Sequence, residues 1–542
     1  MLSYILESIH YFDFFLFTNL QVYSQLVFHS ILDVFDADFT MSQLKVYNSL
    51  SREKEVFEPI TPGYVGLYVC GPTVSGESHL GHARPYITFD VVNRYLQHLG
   101  YKVRYVRNIT DAGHFEEEGK AAEDKISSKA KLEKLEPMEL VQKYTNLFHW
   151  GMKAFNTLDP NIEPTATGHI IEQIEMIKKI LADGYAYETN GSVYFDVEKY
   201  NTDFSKRDLP YGILSGRVLE EQEASSRELS NQDEKRNKAD FALWKKAPPE
   251  HLMRWASPWG EGFPGWHIEC SAMSTKYLGE QFDIHGGGMD LQFPHHECEI
   301  AQSVVCNHKM PARYWVHNNM ITINGRKMGK TYNNVIKLTE LFSGNHPELA
   351  QPYHPMVIRF FILQTQYRST LDFSNEALQA AEKGLKRLWE GYETLQNLSL
   401  PNTGEAKDPE LDEKVRKLVA EFDEFMNDDL NTARVLANMF ELVPIINGIK
   451  GGQVAADALS SDTIALLKEQ MKVYVEDILG LQSLEDNRNE KLNAIIELLI
   501  KMRKEAKGNK DYVTSDRIRN ELSAFGIMLK DEKNGDMSYS FS

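Results

Sequence analysis

A strand, a helix and a second strand follow one another within residues 65–109, and this unit limits the possible folds more than any other feature of the sequence. The run Val65–Cys70 is apolar and strand-like, and a turn rich in Gly and Pro follows it. Tyr86–Leu99 has a helical apolar pattern that ends at Gly100, and Lys102–Ile109 alternates like a strand. Such a unit joins parallel strands, whose carboxyl ends commonly bind ligands. We therefore predict an α/β protein with a parallel sheet.

The composition is that of an ordinary globular protein with an excess of acidic residues. Hydrophobic residues make up 42% and charged residues 25% of the chain, which excludes a disordered chain, a collagen-like repeat and a membrane bundle. There are 59 Lys and Arg against 78 Asp and Glu, so the formal charge is −19. Any nucleic-acid partner must therefore be met by local basic surface. Four cysteines in 542 residues exclude a disulfide scaffold and favour metal binding or catalysis in a reducing compartment.

The first forty residues differ from the rest of the chain. Residues 1–44 contain no Lys or Arg, and seven Phe fall within residues 12–39. This segment lacks the basic start of a secretory signal and is too polar for a membrane span. A second methionine, Met41, opens sequence typical of a cytoplasmic protein. We expect residues 1–40 to be an unstructured extension or a misplaced start, with an amphipathic anchor as the alternative, and we expect a cytoplasmic protein without a membrane partner.

Changes in composition mark further divisions of the chain. Residues 112–135 are highly charged, and residues 216–239 are polar with almost no apolar periodicity, which is typical of solvated excursions. Apolar, Gly-rich sequence resumes over residues 258–331, and from about residue 373 the pattern is helical with few Gly or Pro. These changes predict a nucleotide-binding sheet in two halves, separated by a smaller inserted domain and followed by helices.

A pair of metal-ligand residue types lies one helical turn apart near residue 297. The segment 293–299 should open a helix with Pro294 in its first turn. His295 and Glu299 would then share one face, where an imidazole and a carboxylate can bind one metal ion. A helix-surface ion pair is the alternative interpretation.

Two cysteines could complete such a site. Cys70 ends the first strand, and Cys270 lies in the segment 265–270. Two thiolates would make the donor set suitable for zinc, although small core residues would show the same spacing. Cys298 lies three residues after His295 and competes with Glu299 as the fourth ligand.

Two short motifs are suited to binding a nucleotide. His79-Leu80-Gly81-His82 follows the first strand, where helix amides and imidazoles would face phosphates and Gly81 would allow close approach. Capping of a helix is the alternative. Residues 321–331 form a strand that runs into a basic loop with Lys327 and Lys330, which could reach developing phosphate charge. An exposed basic turn is the alternative there.

A third segment, residues 283–290, lies between these two motifs. It contains three consecutive glycines ending at Gly288, and we expect the backbone to approach a ligand closely there. Asp290 is then placed to accept hydrogen bonds from ribose hydroxyls.

Taken in order, these motifs resemble those of class I aminoacyl-tRNA synthetases. Residues 79–82 resemble the HIGH signature, and residues 327–331, KMGKT, resemble the KMSKS loop with Gly329 in place of its first serine. Residues 68–74 (YVCGPTV), 265–273 (GWHIECSAM) and 285–299 resemble the cysteinyl-tRNA synthetase family specifically. The similarity extends from about Gln43 to Gly535.

This resemblance implies a set of site residues. One zinc ion per chain would be bound by Cys70, Cys270, His295 and Glu299, with Glu299 rather than Cys298 as the fourth ligand. The implied catalytic residues are His79, His82, Lys327 and Lys330. The implied ATP-binding residues are Gly81, Gly288, Asp290 and Lys330. The implied amino-acid pocket contains Thr73, Thr110, Trp266 and His285.

The resemblance also implies an architecture. A Rossmann-like (HUP) parallel-sheet catalytic domain with an inserted connective domain would be followed by a C-terminal all-α helical bundle and a small anticodon-binding domain. The expected divisions are residues 41–165 and 258–311 for the two catalytic halves, 166–257 for the insertion, 312–370 for the signature-loop region, 371–448 for the bundle and 449–542 for the anticodon-binding domain. Residues 112–123 would be an insertion relative to the family.

The implied reaction is ATP-dependent ligation of L-cysteine to tRNA(Cys) through cysteinyl-adenylate, with Mg2+ accompanying ATP and the protein acting as a monomer. Residues 491–520 contain eight basic and four acidic residues, a local charge of +4 that suits tRNA, although a solvated charged face is the alternative. The eight are Lys491, Lys501, Arg503, Lys504, Lys507, Lys510, Arg517 and Arg519. The rival functions are a cysteine ligase for a small amine and a tRNA-binding paralogue without catalysis. A zinc hydrolase is a third rival, but the HExxH arrangement is missing.

Overall fold

The computed structural model describes residues 43–113, 125–217, 234–249, 251–329, 332–398, 404–484, 487–509, 511–531 and 537–541. The expected N-terminal extension, residues 1–40, lies outside these ranges, as do most of residues 112–123 and 216–239. Lys330 also lies outside them, so its predicted role concerns a residue that the structure does not describe.

The predicted strand–helix–strand unit is present. A hairpin, β1 (Lys45–Asn48) and β2 (Glu53–Val56), precedes β3 (Tyr64–Val69), α1 (Leu80–His98) and β4 (Lys102–Arg107). Strands β3 and β4 are parallel, with Tyr64 opposite Lys102. Helix α1 begins at Leu80, six residues before the apolar pattern, because Gly81 and Pro85 obscure its first turns in the sequence.

A helical and antiparallel segment separates the two halves of the central sheet. Its elements are α2 (Lys125–Glu133), α3 (Pro137–Ala154), α4 (Ile170–Ala182), β5 (Ala186–Thr189), β6 (Ser192–Phe195), α5 (Val197–Phe204), β7 (Phe241–Lys246) and β8 (Gly262–Pro264). The four strands form one antiparallel sheet in the order β5-β6-β7-β8. Their own apolar side chains contribute to a second core cluster, which this sheet shares with the far side of the central sheet.

The chain then returns to the central sheet. Its elements are α6 (Trp266–Leu278), β9 (Phe282–Gly288), α7 (Glu297–Asn307) and β10 (Ala312–Asn318). The central sheet has the order β10-β9-β3-β4, and all neighbouring strands are parallel. Because β3 lies beside both β4 and β9, the segments that follow these three strands meet at one edge of the sheet.

The predicted helix start at Pro294 is confirmed by the backbone angles. Phe293 is extended, with φ −141° and ψ 131°, and it precedes a cis peptide bond to Pro294. A proline disfavours helical backbone at the residue before it. Within Gln292–His296 only Phe293 is non-helical, so helical backbone begins at Pro294 and continues directly into α7 (Glu297–Asn307).

The rest of the chain is mainly helical, as predicted. A small sheet of β11 (Ile321–Ile323), β12 (Arg326–Lys327) and β13 (Leu371–Phe373) accompanies α8 (Leu338–Ser343) and α9 (Pro355–Leu363). The bundle consists of α10 (Asn375–Asn397), α11 (Pro409–Asn427), α12 (Thr432–Lys450) and α13 (Ser461–Lys472). Side chains of Ser374, Asp408, Asn431 and Ser460 accept backbone hydrogen bonds at the four helix starts.

The last elements have their own small core. They are α14 (Asn487–Gly508), α15 (Tyr512–Ala524) and the hairpin β14 (Ile527–Asp531) and β15 (Met537–Phe541). Ile496, Ile500, Leu522 and Ile527 form this core, whereas the bundle shares the large core of α1 and the central sheet. Within the described ranges, no helix is both long enough and apolar enough to cross a membrane.

Candidate active site and metal centre

Four side chains that the sequence singled out as metal ligands converge at the carboxyl edge of the central sheet. Cys70 directly follows β3, and Cys270 lies in α6. His295 lies in the helical turn that leads into α7, and Glu299 lies in the first turn of α7. The four donor atoms lie within 4.8 Å of one another, and all four residues are buried. Parallel strands and their following helices thus bring together residues that are far apart in the sequence.

The distances within this group are short. The Sγ atoms of Cys70 and Cys270 are 3.9 Å apart. His295 Nε2 is 3.0 Å from Glu299 Oε1, and Glu299 Oε1 is 3.8 Å from the Cys70 sulfur. Two sulfurs, one imidazole nitrogen and one carboxylate oxygen could therefore bind one metal ion.

The electrostatics of the group keep its carboxylate charged. Burial alone raises the pKa of Glu299, but the neighbouring His285 and His295 outweigh it and hold that pKa at about 2. Burial lowers the pKa of His295, but Glu299 and the Cys270 thiol raise it to about 10. The hydrogen bond from the Cys70 thiol lowers the pKa of Cys270. At neutral pH the Glu299 carboxylate is therefore paired with a protonated His295, and a metal ion must displace that proton to bind both residues.

The surroundings of Cys298 and Glu299 differ, and this difference favours Glu299 as a possible metal ligand. The Cys298 sulfur lies 3.2 Å from the Tyr211 hydroxyl, which belongs to the inserted segment. Neither candidate metal group among the described residues contains Cys298, and both contain Glu299. Burial raises the pKa of the Cys298 thiol, so it stays protonated.

The ends of β3 and β4 are in unusually close contact beside Cys70. The Gly71 amide donates to Asn108 Oδ1 at 2.8 Å, and a Cβ added to Gly71 would lie 2.6 Å from the Asn108 carbonyl carbon. Only glycine fits there. Asn108 also lies near the second thiol, with its Oδ1 3.7 Å from the Cys270 sulfur.

The two threonines predicted for the amino-acid pocket lie next to each other. Thr73 and Thr110 form an isolated parallel bridge. The Thr110 hydroxyl donates to the buried Glu269 carboxylate at 3.0 Å and accepts from Asn108 Nδ2 at 3.1 Å. That hydroxyl is already engaged in two hydrogen bonds, so the side chain of Thr73 is the less constrained of the two.

Trp266 and His285 contact different members of the metal-ligand group. The Trp266 ring is 37% exposed and its centroid is 4.3 Å from that of His295. His285 is buried, with Nε2 2.9 Å from Glu299 Oε2 and its ring stacked on Trp315. Trp266 is thus accessible to a ligand, whereas the buried His285 orients the Glu299 carboxylate through its contact with Oε2.

Sequence reasoning missed a chain of polar contacts behind the cysteines. His296 Nε2 lies 3.3 Å from the Cys70 sulfur, and His296 Nδ1 lies 2.9 Å from His317 Nε2. His317 Nδ1 in turn lies 2.8 Å from the Ser49 hydroxyl. His296 also belongs to a second possible donor group, which shares Cys70 and Glu299 with the first and adds His285. The tandem histidines at 295 and 296 were the only signal in the sequence.

The first signature segment caps α1. His79 is the N-terminal cap of this helix, and its amide donates to His82 Nδ1 at 3.2 Å. The two rings are stacked with centroids 3.8 Å apart. Burial and the neighbouring His79 lower the pKa of His82 to about 3. His82 is therefore neutral at physiological pH and can donate or accept hydrogen bonds without carrying charge.

The two signature segments touch each other. A Cβ added to Gly81 would lie 2.5 Å from Met328 Cε. Backbone hydrogen bonds also join the segments that flank them, from the Leu80 amide to the Ile336 carbonyl at 2.9 Å and from the Leu338 amide to the Ser78 carbonyl at 2.9 Å. Residues separated by more than 240 positions therefore form one continuous site.

The basic loop is held by one buried side chain. Asn334 accepts from the Gly329 amide at 2.9 Å and donates to the Lys327 carbonyl at 3.2 Å. Lys327 itself is exposed at the end of β12. The described part of the loop thus projects a lysine beside the start of α1, and Lys330 follows three residues later outside the described ranges.

Gly288 and Asp290 lie where β9 ends. Asp290 is exposed, and a Cβ added to Gly288 would lie 2.5 Å from its Oδ1 atom. The carboxylate can therefore fold back over the glycine only because that residue has no side chain, which leaves both at the open edge of the sheet.

The basic segment near the C-terminus is only partly a surface feature. Lys501, Lys507 and Arg519 are exposed on α14 and α15, but Arg503 is 3% exposed. Including Arg503 in the predicted basic surface is therefore wrong, because this side chain is directed inward from α14. Arg517 is exposed but paired with Glu521 at 2.8 Å.

Comparisons with known proteins agree on one family. Residues 56–383 match a family model described as tRNA synthetases class I (C) catalytic domain, and residues 421–484 match a DALR domain. The chain is 57% identical to a cysteine–tRNA ligase from Bacteroides fragilis over 496 residues, 91% of this chain and 98% of the relative. It is 55% identical to the one from Porphyromonas gingivalis over 498 residues, with the same coverage.

Solved structures show the same fold. A methionyl-tRNA synthetase from Mycobacterium tuberculosis, in complex with methionyl-adenylate, superposes with a TM-score of 0.52 at 13% identity, covering 77% of this chain and 89% of that one. The catalytic-domain match, the high identity to curated relatives along 91% of the chain and the parallel-sheet fold lead to one conclusion. This chain belongs to the cysteine–tRNA ligase family of class I aminoacyl-tRNA synthetases.

Proposed function

We propose that the chain activates L-cysteine with ATP and transfers it to tRNA(Cys). The observation that carries this proposal is the buried group of Cys70, Cys270, His295 and Glu299, which lies at the same sheet edge as the paired signature segments. A thiol-selecting metal group beside a nucleotide site is what selection and activation of cysteine require.

The donor set fits zinc. In a tetrahedral site with Zn–S distances of about 2.3 Å, two thiolate sulfurs are about 3.8 Å apart, and the Cys70 and Cys270 sulfurs are 3.9 Å apart here. When bound, zinc supplies a position that a substrate thiolate occupies readily and a serine hydroxyl does not. We propose one zinc per chain, held by these two cysteines with His295 and Glu299.

The protein's own residues orient the site around the substrate. Asn108 fixes the turn after Cys70 through its hydrogen bond to the Gly71 amide. His285 holds the second oxygen of Glu299, which leaves the first oxygen available to a cation. The half-exposed Trp266 ring covers His295 from the solvent side, so that it can close over a bound amino acid.

The signature segments would bind ATP. The neutral His82 and the stacked His79 would act as hydrogen-bond partners of the phosphates, and the positive charge would come from Lys327, Lys330 and Mg2+ accompanying ATP. In the first step, a carboxylate oxygen of cysteine attacks the α-phosphorus, and pyrophosphate leaves. In the second step, a ribose hydroxyl of the terminal tRNA adenosine attacks the adenylate carbonyl, and AMP leaves.

We further propose a tRNA-binding surface, a domain division, an oligomeric state and a location for this protein. The C-terminal helices would bind tRNA through exposed residues such as Lys501, Lys507 and Arg519. We also propose the domain divisions predicted above, a monomeric enzyme and a cytoplasmic location. Gel filtration of the purified chain and fractionation of the source cells test the last two.

The test is transfer of labelled cysteine to total tRNA, with ATP–pyrophosphate exchange measured in parallel. We expect both activities in the wild-type protein. Cys270→Ser should abolish both, whereas Cys306→Ser should retain them, because Cys306 is a buried cysteine of α7 that contacts only the Met176 carbonyl among the described hydrogen bonds. Exchange without transfer would favour the small-amine ligase, and loss of neither activity in Cys270→Ser would contradict the role of the metal group.

A further inference from the structure

A cluster of charged side chains is buried where α1 meets the helical bundle. Arg359, on α9, is fully buried, Asp90 on α1 is 2% exposed, and Arg94 on α1 is 10% exposed. Arg359 Nη2 lies 2.5 Å and Arg94 Nε 2.8 Å from the same oxygen, Asp90 Oδ2. Two guanidinium groups thus share one carboxylate in the interior of the protein.

The surplus positive charge faces the end of a bundle helix. Helix α13 continues through a wider turn, Val473–Ile478, and its terminal carbonyls accept from the two arginines. Arg94 Nη1 donates to the Asp477 carbonyl at 2.9 Å, and Arg359 Nε donates to the Leu479 carbonyl at 2.7 Å. The C-terminal end of a helix carries partial negative charge, so it stabilises the second cation.

The same groups hold the loop that follows α3. Arg94 Nη2 donates to the Asn156 carbonyl at 2.7 Å, and Asn156 Nδ2 donates to the Gly480 carbonyl at 3.0 Å. Gly480 has φ +58°, and a Cβ there would lie 2.5 Å from Arg359 Nη2. The end of α13 is therefore fixed to α1 by hydrogen bonds and by close packing around a glycine.

This contact between the end of α13 and α1 connects the helix that carries His82 with the segment that leads to the C-terminal helices. Asp90 follows His82 by eight residues on the same helix, which is about 12 Å at 1.5 Å per residue. On the other side, the chain leaves α13 at Gly480 and runs towards α14, the first of the C-terminal basic helices. A second tie, from the Tyr95 hydroxyl to Asn427 Oδ1 at 2.9 Å, joins α1 to the end of α11.

We propose that Arg94 and Arg359 are positioning residues for the transfer of cysteine to tRNA. By fixing the end of the DALR-domain helix to α1, they set where a tRNA bound by the C-terminal helices delivers its 3′ end relative to the signature histidines. Neither arginine touches the substrate sites, so amino-acid activation does not depend on them. This inference rests on the proposed function.

The test uses substitutions that keep the charge but remove the planar fork of donors. Arg94→Lys is the main variant, because lysine cannot bond to Asp90 and to the Asp477 and Asn156 carbonyls in the same geometry. Arg359→Lys is the second variant. Arg416→Lys is the matched control, since Arg416 pairs with Asp412 at 3.0 Å and with Ser460 entirely within the bundle.

For each folded variant, cysteine-dependent ATP–pyrophosphate exchange, kcat and KM for tRNA charging, and the thermal unfolding midpoint are measured. Loss of charge-assisted hydrogen bonds predicts that Arg94→Lys lowers kcat/KM for tRNA about tenfold or more, with exchange within about twofold of wild type and the control unchanged. A proportional fall in exchange and charging, or unchanged charging by Arg94→Lys, would overturn the proposal.

The proposed function is judged separately, on wild-type protein. If the wild type does not charge tRNA, the proposed function is wrong. If it does, the role of Arg94 and Arg359 is judged only from the ratio of tRNA charging to ATP–pyrophosphate exchange in the variants. We expect Arg359→Lys to be the less stable variant, because it leaves a buried carboxylate and carbonyls poorly paired. If Arg359→Lys does not fold, Arg94→Lys alone tests the positioning role, because Arg94 is the more exposed of the two arginines.

Discussion

Replacing Gly71 with alanine should disrupt the proposed metal centre without changing any of its proposed ligands. The added Cβ would lie 2.6 Å from the Asn108 carbonyl carbon and closer still to its oxygen. Because non-bonded carbons approach to about 3.5 Å, the ends of β3 and β4 must separate by at least about 0.9 Å. Metal–ligand distances tolerate only about 0.2 Å. Cys70, the neighbouring residue, therefore leaves the group that it forms with Cys270.

The assay is zinc content after dialysis against a weak chelator, followed by cysteine-dependent ATP–pyrophosphate exchange. We expect Gly71→Ala to bind zinc at least about 100-fold more weakly and to lose exchange accordingly. Gly508→Ala is the matched control, because its Cβ would meet nothing within 4 Å and alanine favours a helix. One tightly bound zinc per chain and wild-type exchange in Gly71→Ala would show that the spacing of β3 and β4 at Gly71 does not control the metal site.

Three further substitutions test the choice of metal ligand, the buried His317 and the loop that carries Lys327. Glu299→Gln should weaken zinc binding at least about 100-fold, while Cys298→Ser should leave zinc content unchanged; equal effects in a chelator competition would contradict the ligand assignment. Burial and His285 lower the pKa of His317 to about 3 in the folded protein, whereas this pKa is near 6.5 in the unfolded chain. As the pH is lowered below about 6.5, the unfolded chain takes up this proton and the folded protein does not, so the free energy of unfolding decreases. Between pH 8 and pH 5 this amounts to about 2 kcal/mol, which His317→Asn should remove from the pH dependence of thermal unfolding. Asn334→Ala should lower kcat for exchange about tenfold by releasing the Lys327 loop, with KM for cysteine unchanged; an unchanged kcat would exclude this role.

Local sequence patterns predicted the elements that carry the site. The apolar run at Val65–Cys70 and the glycine stop at Gly100 were sufficient for the strand–helix–strand unit, because both reflect short-range backbone preferences. The spacing of His295 and Glu299 also predicted a shared face, since it depends only on helical periodicity. The helix start was also predictable, because Phe293 is held extended before Pro294 and the helical backbone begins at that proline.

Contacts across the fold could not be predicted in this way. The preference for Glu299 over Cys298 depends on Tyr211, which lies in a turn of the inserted segment and contacts the competing sulfur. The contact of His317 with Ser49 joins residues 268 positions apart. Likewise, nothing in the lysine-rich pattern of α14 distinguishes Arg503, which is buried, from its exposed neighbours. Each of these depends on tertiary packing rather than on local sequence.

The most direct test of the account is competitive charging of total tRNA with differently labelled cysteine and serine, present at equal concentrations with ATP and zinc-replete protein. A site that selects the amino acid through a thiolate-binding metal predicts cysteine label on the tRNA 3′ end and serine label at background. Comparable labelling by serine would contradict selection by the group of Cys70, Cys270, His295 and Glu299, and no labelling by cysteine would contradict the proposed function itself.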